Sequence, residues 1–519
     1  MSQTQQREST SSLASVIASS SVGTLIEWYD FYIFGFLATE ISAQFFPKDN
    51  PTAAFLSTLA TFAAGFIVRP FGALFFGRLG DIVGRKYTFL VTLLLMGLST
   101  FAIGFIPSYQ TIGALAPFLA LTLRLLQGLA IGGEYGGAAT YVAEHSPAHE
   151  RGFWTSWIQI TATVGLFVSL MVILTCRQSM PEADFKEWGW RIPFWLSIFM
   201  VAISVVIRMR MSESPLFAKL KTEGKTSTNP LAESFGKKDN FKMVLLALFG
   251  AVCGQGVVWY TGQFYIMTFI KGTCAVAPAQ AETWLGIALL LATPFFVVFA
   301  TLSDKIGRKW IMLAGMALAL FTTKPLFQQV RELTNPKNKT EVAEKMVAAP
   351  VAEKVDAKTG DKITTTDTTR MYTDGTTLKV TTAMTLFADS TKQASAKPKV
   401  TKVVTLGQSN KWSLIGLVFL LVLYATMAYG PMAAFLVELF PTRIRYTSLS
   451  LPYHIGNGVF GGLVPFIGVL LVESSKTKEL PGGDIYAGLN YPLAVTALCL
   501  VIGIFFLPNG VDNVEVKEE

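Results

Sequence analysis

The chain is poor in the residues that build metal centres and covalent staples. It has three histidines and four cysteines among 519 residues. Cys176, Cys253, Cys274 and Cys499 show no ligand-like spacing, so no metal site is expected and the four read as small apolar packing residues. No nucleophile–base pair or phosphate-binding loop stands out, and Gly132-Gly133-Glu134 does not follow a strand as a dinucleotide fingerprint would. An enzyme is therefore disfavoured. Charge is also scarce: 15% of residues are Asp, Glu, Lys or Arg, where a soluble protein carries about a quarter. Residues 1–12 are polar with no basic cluster, and the first apolar run contains Glu27 and Asp30. That run is expected to stay as a helix and not to be removed as a secretory signal.

What fills the chain is apolar. Hydrophobic residues make up 51% and the mean hydropathy is +0.45. Runs near the ~20 residues that cross a bilayer fall at 15–46, 52–78, 87–106, 113–143, 153–176, 190–209, 242–270, 283–302, 309–327, 412–438, 446–472 and 490–508. They predict an all-α polytopic membrane protein of about twelve helices, a monomer in a lipid bilayer. Basic residues cluster in alternate connections: Arg78–Lys86, around Arg151, Arg208–Lys242, Lys305–Lys309, and Arg443 with Arg445. The positive-inside rule places these, and both termini, in the cytoplasm. The sequence pI of about 9.1 is then membrane anchoring and not nucleic-acid binding, for no basic patch is interleaved with aromatics.

The expected organisation is a polar N-terminus (1–14), a first six-helix bundle (15–209), a cytoplasmic linker (210–241), a second bundle (242–508) and a tail (509–519). The second bundle is interrupted by a polar insertion, 328–411, placed outside. It holds 12 Lys and 2 Arg against 9 acids, and long loops cross regardless of charge. Thr366–Val380 alternates around Tyr372-Thr373-Asp374-Gly375, a hairpin signal; Thr381–Phe387 and Val400–Leu406 are candidate further strands. The alternative is a disordered polar loop.

One feature divides the chain into two related halves. Gly77-Arg-Leu-Gly80-Asp81-Ile-Val-Gly84-Arg85-Lys86 returns as Ala300-Thr-Leu-Ser303-Asp304-Lys-Ile-Gly307-Arg308-Lys309, each between two apolar runs. Asp81 and Arg85, like Asp304 and Arg308, stand i, i+4 and can lock a turn or cap a neighbouring helix. With Gly77, and with Glu438 and Arg445 in the turn Glu438-Leu-Phe-Pro441-Thr-Arg443-Ile-Arg445-Tyr446, they are the expected cytoplasmic gate.

Charges inside apolar runs are costly and thus functional candidates. Glu27 and Asp30, at i, i+3, share a helical face, and two carboxylates there suit reversible proton binding. Arg69 lies two to three turns inside the second run; a permanent cation needs a carboxylate, from protein or substrate, so it argues for an anionic substrate. The fourth run holds Arg124, Gln127, Glu134 and Tyr135, with Gly128, Gly132 and Gly136 as a close-packing stripe. Arg191 reads as an interface anchor beside Trp188 and Trp190. Gln255, Trp259 and Gln263, at i, i+4, i+8 and with Tyr260 nearby, look like a cavity lining or a polar seam. Tyr424, Tyr429, Glu438, Tyr453, His454 and Asn457 interrupt the tenth and eleventh runs; Tyr453 and Asn457 can offer hydrogen bonds to a ligand.

These motifs resemble a family. The twin turns and Arg124-x-x-Gln127-Gly128 are similar to signatures of the major facilitator superfamily. Glu27-Trp28-Tyr29-Asp30-Phe31, Gly65-Phe-x-x-Arg69-Pro70-x-Gly72, Gly132-Gly133-Glu134-Tyr135-Gly136, Trp188-Gly-Trp190-Arg191-Ile-Pro193-Phe and Glu438-Leu-Phe-Pro441-Thr-x-x-Arg445-Tyr446 resemble its bacterial metabolite:proton symporters. That branch carries α-ketoglutarate, citrate, shikimate and proline/betaine. The resemblance covers nearly the whole chain except 328–411. It implies two six-helix bundles, a central cavity, alternating access in the inner membrane, and uptake of a small organic anion, a carboxylate, driven by the proton gradient without a cofactor. By matching motif it makes Glu27, Asp30, Arg69, Arg124 and Glu134 the cavity and coupling residues. Compatible-solute uptake, metabolite efflux and a transporter-like sensor are the competing readings. Only about ten polar residues follow Leu507, too few for the coiled coil of an osmosensing carrier.

Overall fold

The computed structural model describes residues 3–47, 51–209, 213–342, 347–348, 351–355, 362–386 and 398–508. The expected tail, 509–519, lies outside the described residues, as do several stretches of the insertion, Phe387 among them. Among the described residues twelve long helices carry the fold: α1 Gln3–Phe36, α2 Pro51–Ile82, α3 Arg85–Ile103, α4 Leu115–His145, α5 Arg151–Gln178, α6 Ile192–Met209, α7 Lys238–Thr273, α8 Pro278–Ile306, α9 Arg308–Thr334, α10 Gln408–Leu439, α11 Thr442–Ser474 and α12 Asn490–Phe506. Among the described residues eleven are long and apolar enough to cross a membrane. The exception is α1, whose 34 residues include Glu27, Asp30 and a Ser/Thr-rich start. The first run was expected to continue to 46; the helix instead breaks at Leu37, and a short helix, Ala38–Phe45, follows.

The helices form two bundles, α1–α6 and α7–α12. Large apolar side chains such as Phe71, Phe75, Phe199, Phe321 and Phe505 point outward and stay exposed, the expected pattern for a surface solvated by lipid. Glycine lets backbones touch within a bundle: a Cβ on Gly132 of α4 would collide with the Arg69 carbonyl of α2. The bundles meet along α2 against α11 and α5 against α8. This pairing follows the repeat, because α2 and α8 each end in one copy of the acidic turn. Gly84 and Gly307 open those turns with φ of 135° and 96°, values that require glycine.

Two helices depart from α geometry. α7 has π-helical turns at Leu248–Val252, Thr261–Tyr265 and Phe269–Thr273, and α11 has one at His454–Gly461. Each widened turn rotates the face that follows it.

α8 ends at its acidic turn and α9 carries the chain back, so the insertion lies on the face opposite the turns. α9 continues through Thr334, beyond the boundary expected at 328. Leu326, Phe327, Val330 and Thr334 stay buried and keep a helical period through a polar segment. The insertion holds an antiparallel sheet of order β1-β3-β4-β5, where β1 is Val347–Ala348, with β2 (Ala352–Val355) also on β3. β3 (Lys362–Met371) and β4 (Thr377–Leu386) pair with Met371 opposite Thr377. The predicted turn residues join them, Gly375 at φ 80°. Thr381–Leu386 is the continuation of β4 and not a strand of its own. β5 (Lys399–Thr405) ties the sheet to the bundle: Ala277 N–H donates to the Val404 carbonyl at 2.8 Å and Val404 N–H to the Ala275 carbonyl at 2.7 Å.

Candidate functional site

Midway along the helices the two bundles enclose a gap lined by Glu27 and Trp28 of α1, Arg69 of α2, Tyr135 of α4, Trp259 and Tyr260 of α7, Tyr429 of α10, and Tyr453, His454 and Asn457 of α11. It amounts to about 390 Å³, of which about 10 Å³ is open to the centre of a water molecule. That is room for about one water, so the bundles are closed around it.

The charges at this gap are not paired with each other. Among the described residues no carboxylate lies within 4.0 Å of the Arg69 guanidinium, and its Nε is buried without a partner. The guanidinium rests on aromatic faces instead, 4.5 Å from the Phe66 ring centre and 5.2 Å from that of Phe31. Glu27 is buried with Oε2 unpartnered, as are Trp259 Nε1 and His454 Nε2. Such groups cost stability unless something else binds them. Asn457 Nδ2 donates to Gln255 Oε1 at 2.9 Å, and Gln159 Nε2 to the Tyr135 hydroxyl at 2.8 Å. Tyr135 and Tyr453 stack across the bundle interface, ring centres 3.5 Å apart.

Other expected residues lie off the lining. Asp30 accepts from Thr100 Oγ1 at 2.9 Å; Gln127 Nε2 donates to the same hydroxyl at 2.6 Å, and Gln127 Oε1 accepts from Arg124 Nη1 at 3.0 Å. This chain of polar groups ties Arg124 to Asp30 within the first bundle. Glu134 is ion-paired with Arg208 of α6 and accepts from Thr92 Oγ1 at 3.0 Å. Gln255 reaches the gap only through Asn457. Gln263 is buried but outside the lining, because the π turn at Thr261–Tyr265 rotates it off the Gln255–Trp259 stripe. The sequence reading missed Trp28 and Arg208. Gly23 is the one sequence trace of Arg208, since a Cβ there would collide with its guanidinium.

The expected gate residues gather at the turn face in two matching locks. Asp81, held by Arg85 at 3.2 Å, crosses to the second bundle and accepts from the Thr447 amide at 2.9 Å and hydroxyl at 2.7 Å. Asp304, held by Arg308 at 2.7 Å, crosses to the first bundle and accepts from the Gly152 and Phe153 amides at 2.8 Å each. Both aspartates thus cap the start of a helix of the other bundle. Glu438 takes Arg308 in a two-pronged pair at 2.6 and 2.7 Å. Its counterpart Glu144 sits between Arg85 at 3.6 Å and Arg445 at 3.1 Å. Glu144 was overlooked, yet Glu144-x-x-Pro147-x-x-x-Arg151 repeats the spacing of Glu438-x-x-Pro441-x-x-x-Arg445. The repeat also explains Ser303 in the place of Gly80. The Tyr446 ring packs where a Cβ on Gly80 would stand, whereas the residue equivalent to Tyr446 is Gly152, which leaves room for a side chain at 303. Gly77 completes the first interface, its Cβ position 3.0 Å from Thr447 Cα.

On the opposite face aromatic rings close the gap. Trp28 meets Trp259 with centres 5.7 Å apart, and Tyr32 stacks on Phe264 at 6.2 Å.

A family model described as "Sugar (and other) transporter" matches residues 16–243. The α-ketoglutarate permease of Escherichia coli K12 is 33% identical over 320 residues, 62% of this chain and 72% of the permease. The proline/betaine transporter of the same organism is 28% identical over 508 residues, covering 95% of this chain and 83% of the transporter. A solved structure of the major facilitator superfamily proton:xylose symporter superposes with a TM-score of 0.69 at 16% identity, covering 98% of this chain and all of that one.

Proposed function

This chain belongs to the major facilitator superfamily, among its metabolite transporters, and from that premise we propose that it takes up a small organic anion, a carboxylate, together with protons. The observation that carries this reading is the Arg69 guanidinium, buried in the central gap with no carboxylate within 4.0 Å among the described residues. A permanent cation there is stabilised when an anion arrives and is costly when none does. Glu27, on the same gap and with its Oε2 unpartnered, is the group we assign to the transported proton: neutral when protonated, it crosses with the bundles at low cost. No cofactor is invoked; the proton gradient supplies the energy. Asp30, Arg124, Gln127 and the Glu134–Arg208 pair form a supporting layer that holds α1, α4 and α6 in register. The turn locks would break as the bundles rock, opening the gap to the side we assign to the cytoplasm of a bacterial inner-membrane protein with both termini inside.

A second reading has one observation in its favour. Six aromatic residues line the gap, and such a cage binds a quaternary ammonium, so a betaine would place its carboxylate on Arg69 and its cation among the rings. Uptake by the purified protein in liposomes separates the two. Labelled carboxylates, proline and glycine betaine are offered with and without an inward proton gradient. Gradient-stimulated accumulation of a carboxylate is expected; accumulation of betaine or proline alone would replace the anion reading.

A further inference from the structure

The gap holds one permanent cation. Of its ten lining residues only Arg69 carries a fixed positive charge, and Glu27 is the only carboxyl. Two further unpartnered nitrogens line it, the neutral donor Trp259 Nε1–H and the imidazole His454 Nε2, and a second neutral donor, Gln255 Nε2, lies behind Asn457. Another guanidinium close to Arg69 is that of Arg124. It is 5.2 Å from the same Phe31 ring that Arg69 touches, rests also against Phe34 and Phe62 at 4.8 and 4.7 Å, and is held by Gln127. It does not line the gap. Everything else facing the gap is mainly aromatic: Trp28, Tyr135, Trp259, Tyr260, Tyr429 and Tyr453.

From this count we infer that the substrate carries a single carboxylate on a flat, unsaturated ring, that is, an aromatic monocarboxylate bearing at most a neutral polar group. The inference rests on the anion reading of Arg69 and narrows it. One carboxylate is matched by Arg69. A second one, carried into a closed aromatic gap, would meet no cation and would lie near the Glu27 carboxyl, and an uncompensated buried charge is strongly disfavoured. A ring can instead stack among the tyrosines and tryptophans, and a ring hydroxyl can accept from Trp259 Nε1–H.

The test is competition by unlabelled compounds against the best labelled carboxylate in proteoliposomes, with benzoate, 4-hydroxybenzoate, cyclohexanecarboxylate, succinate, citrate and glycine betaine as probes. We expect benzoate and 4-hydroxybenzoate to compete at least ~100-fold more effectively than succinate or citrate, because charge decides. Against cyclohexanecarboxylate the advantage should be only ~3- to 10-fold, because stacking is weak. Trp259→Phe should keep the benzoate value and remove the gain from the 4-hydroxyl. Succinate or citrate competing as well as benzoate, with that competition lost in Arg124→Ala, would overturn the inference by showing that Arg124 supplies a second cation, while leaving anion uptake intact. Competition by glycine betaine alone would overturn both this inference and the anion reading.

Discussion

The buried charges at the turn face and those lining the central gap obey opposite rules. At the turn face Asp81, Asp304, Glu144 and Glu438 all have arginine partners, and both aspartates also cap helices across the bundle interface. At mid-depth Arg69 and Glu27 line one gap, and among the described residues neither has an ion pair. Breaking a buried pair is costly because it strands a charge. The first region therefore stores its interactions in the closed state and gives them up on opening. The second withholds its interactions until a ligand and a proton arrive. A transporter needs both, a contact to break for each cycle and a charge that only cargo satisfies.

The sharpest way to break this contrast is to remove the unpaired cation. Arg69→Ala should lower anion uptake by ~100-fold or more, the scale of losing a buried charge contact, with the protein still folded in the membrane because no internal ion pair is lost. Arg69→Lys should recover part of it, as a point charge without the planar fork. Normal uptake by Arg69→Ala would remove the anion site from this gap.

Next in size is Glu27→Gln, which mimics the protonated carboxyl permanently. Accumulation against a gradient should vanish, while exchange of labelled for unlabelled substrate stays within roughly three-fold of the parent, since binding does not need the charge. The proton would have to reside elsewhere, with Asp30 as the first candidate, if gradient-driven accumulation persisted.

How far this contrast could be read from the sequence depends on the kind of signal. The locks were visible because they are repeated: two acidic turns at fixed spacing point to one role. Glu144 was readable by the same rule and was overlooked because His145 and His149 obscure the match to the Glu438 turn. The unpaired pair was readable from the cost of charge in apolar runs, though not which acid would face the gap. Glu27 and Asp30 share a face by helical period, yet Thr100 captures Asp30, and only packing decides that. Gln263 was misplaced because π-helical turns leave no mark in a period-based reading. The central partner of Glu134 was hidden because Arg208 closes a long apolar helix and looks like an interface anchor.

A middle-sized effect should follow from loosening the locks. Asp81→Asn and Asp304→Asn each remove an aspartate charge from an Arg pair and weaken a helix cap across the interface. Because the two locks are equivalent, both variants should slow transport by a similar factor, on the order of ten-fold, with substrate affinity nearly unchanged. A cysteine placed at Ser450, which is buried against Gly136 at the bundle interface, should label faster in both, and the four native cysteines, all buried, should stay silent. Opposite effects of the two substitutions on labelling would show that the repeat has diverged in role.

The smallest effect on transport should come from Asp374, a carboxylate far from both regions. In the insertion, partial burial pushes the Asp374 carboxyl up, but the Lys339 ammonium, the Asn410 amide and the Thr376 amide and hydroxyl outweigh it and hold the group well below the usual carboxylate range. A depressed folded value means that the charged form stabilises the turn at all pH above about 4, the ordinary carboxylate value, and that this contribution is lost as pH falls further toward the folded value. Asp374→Asn should therefore raise hydrogen exchange in residues 362–386 at pH 7. It should lose most of that difference from the parent near pH 2, once exchange is corrected for its intrinsic pH dependence. Uptake should change less than about two-fold, because the sheet stays joined to the loop between α7 and α8 through Val404 and to the start of α8 through Leu406 when the Asp374 bond to Asn410 at the start of α10 is weakened. A large loss of uptake would mean that the hairpin turn transmits force to α7, whose Trp259 and Phe264 close the gap on that face, and the opposite gate would then extend into the insertion.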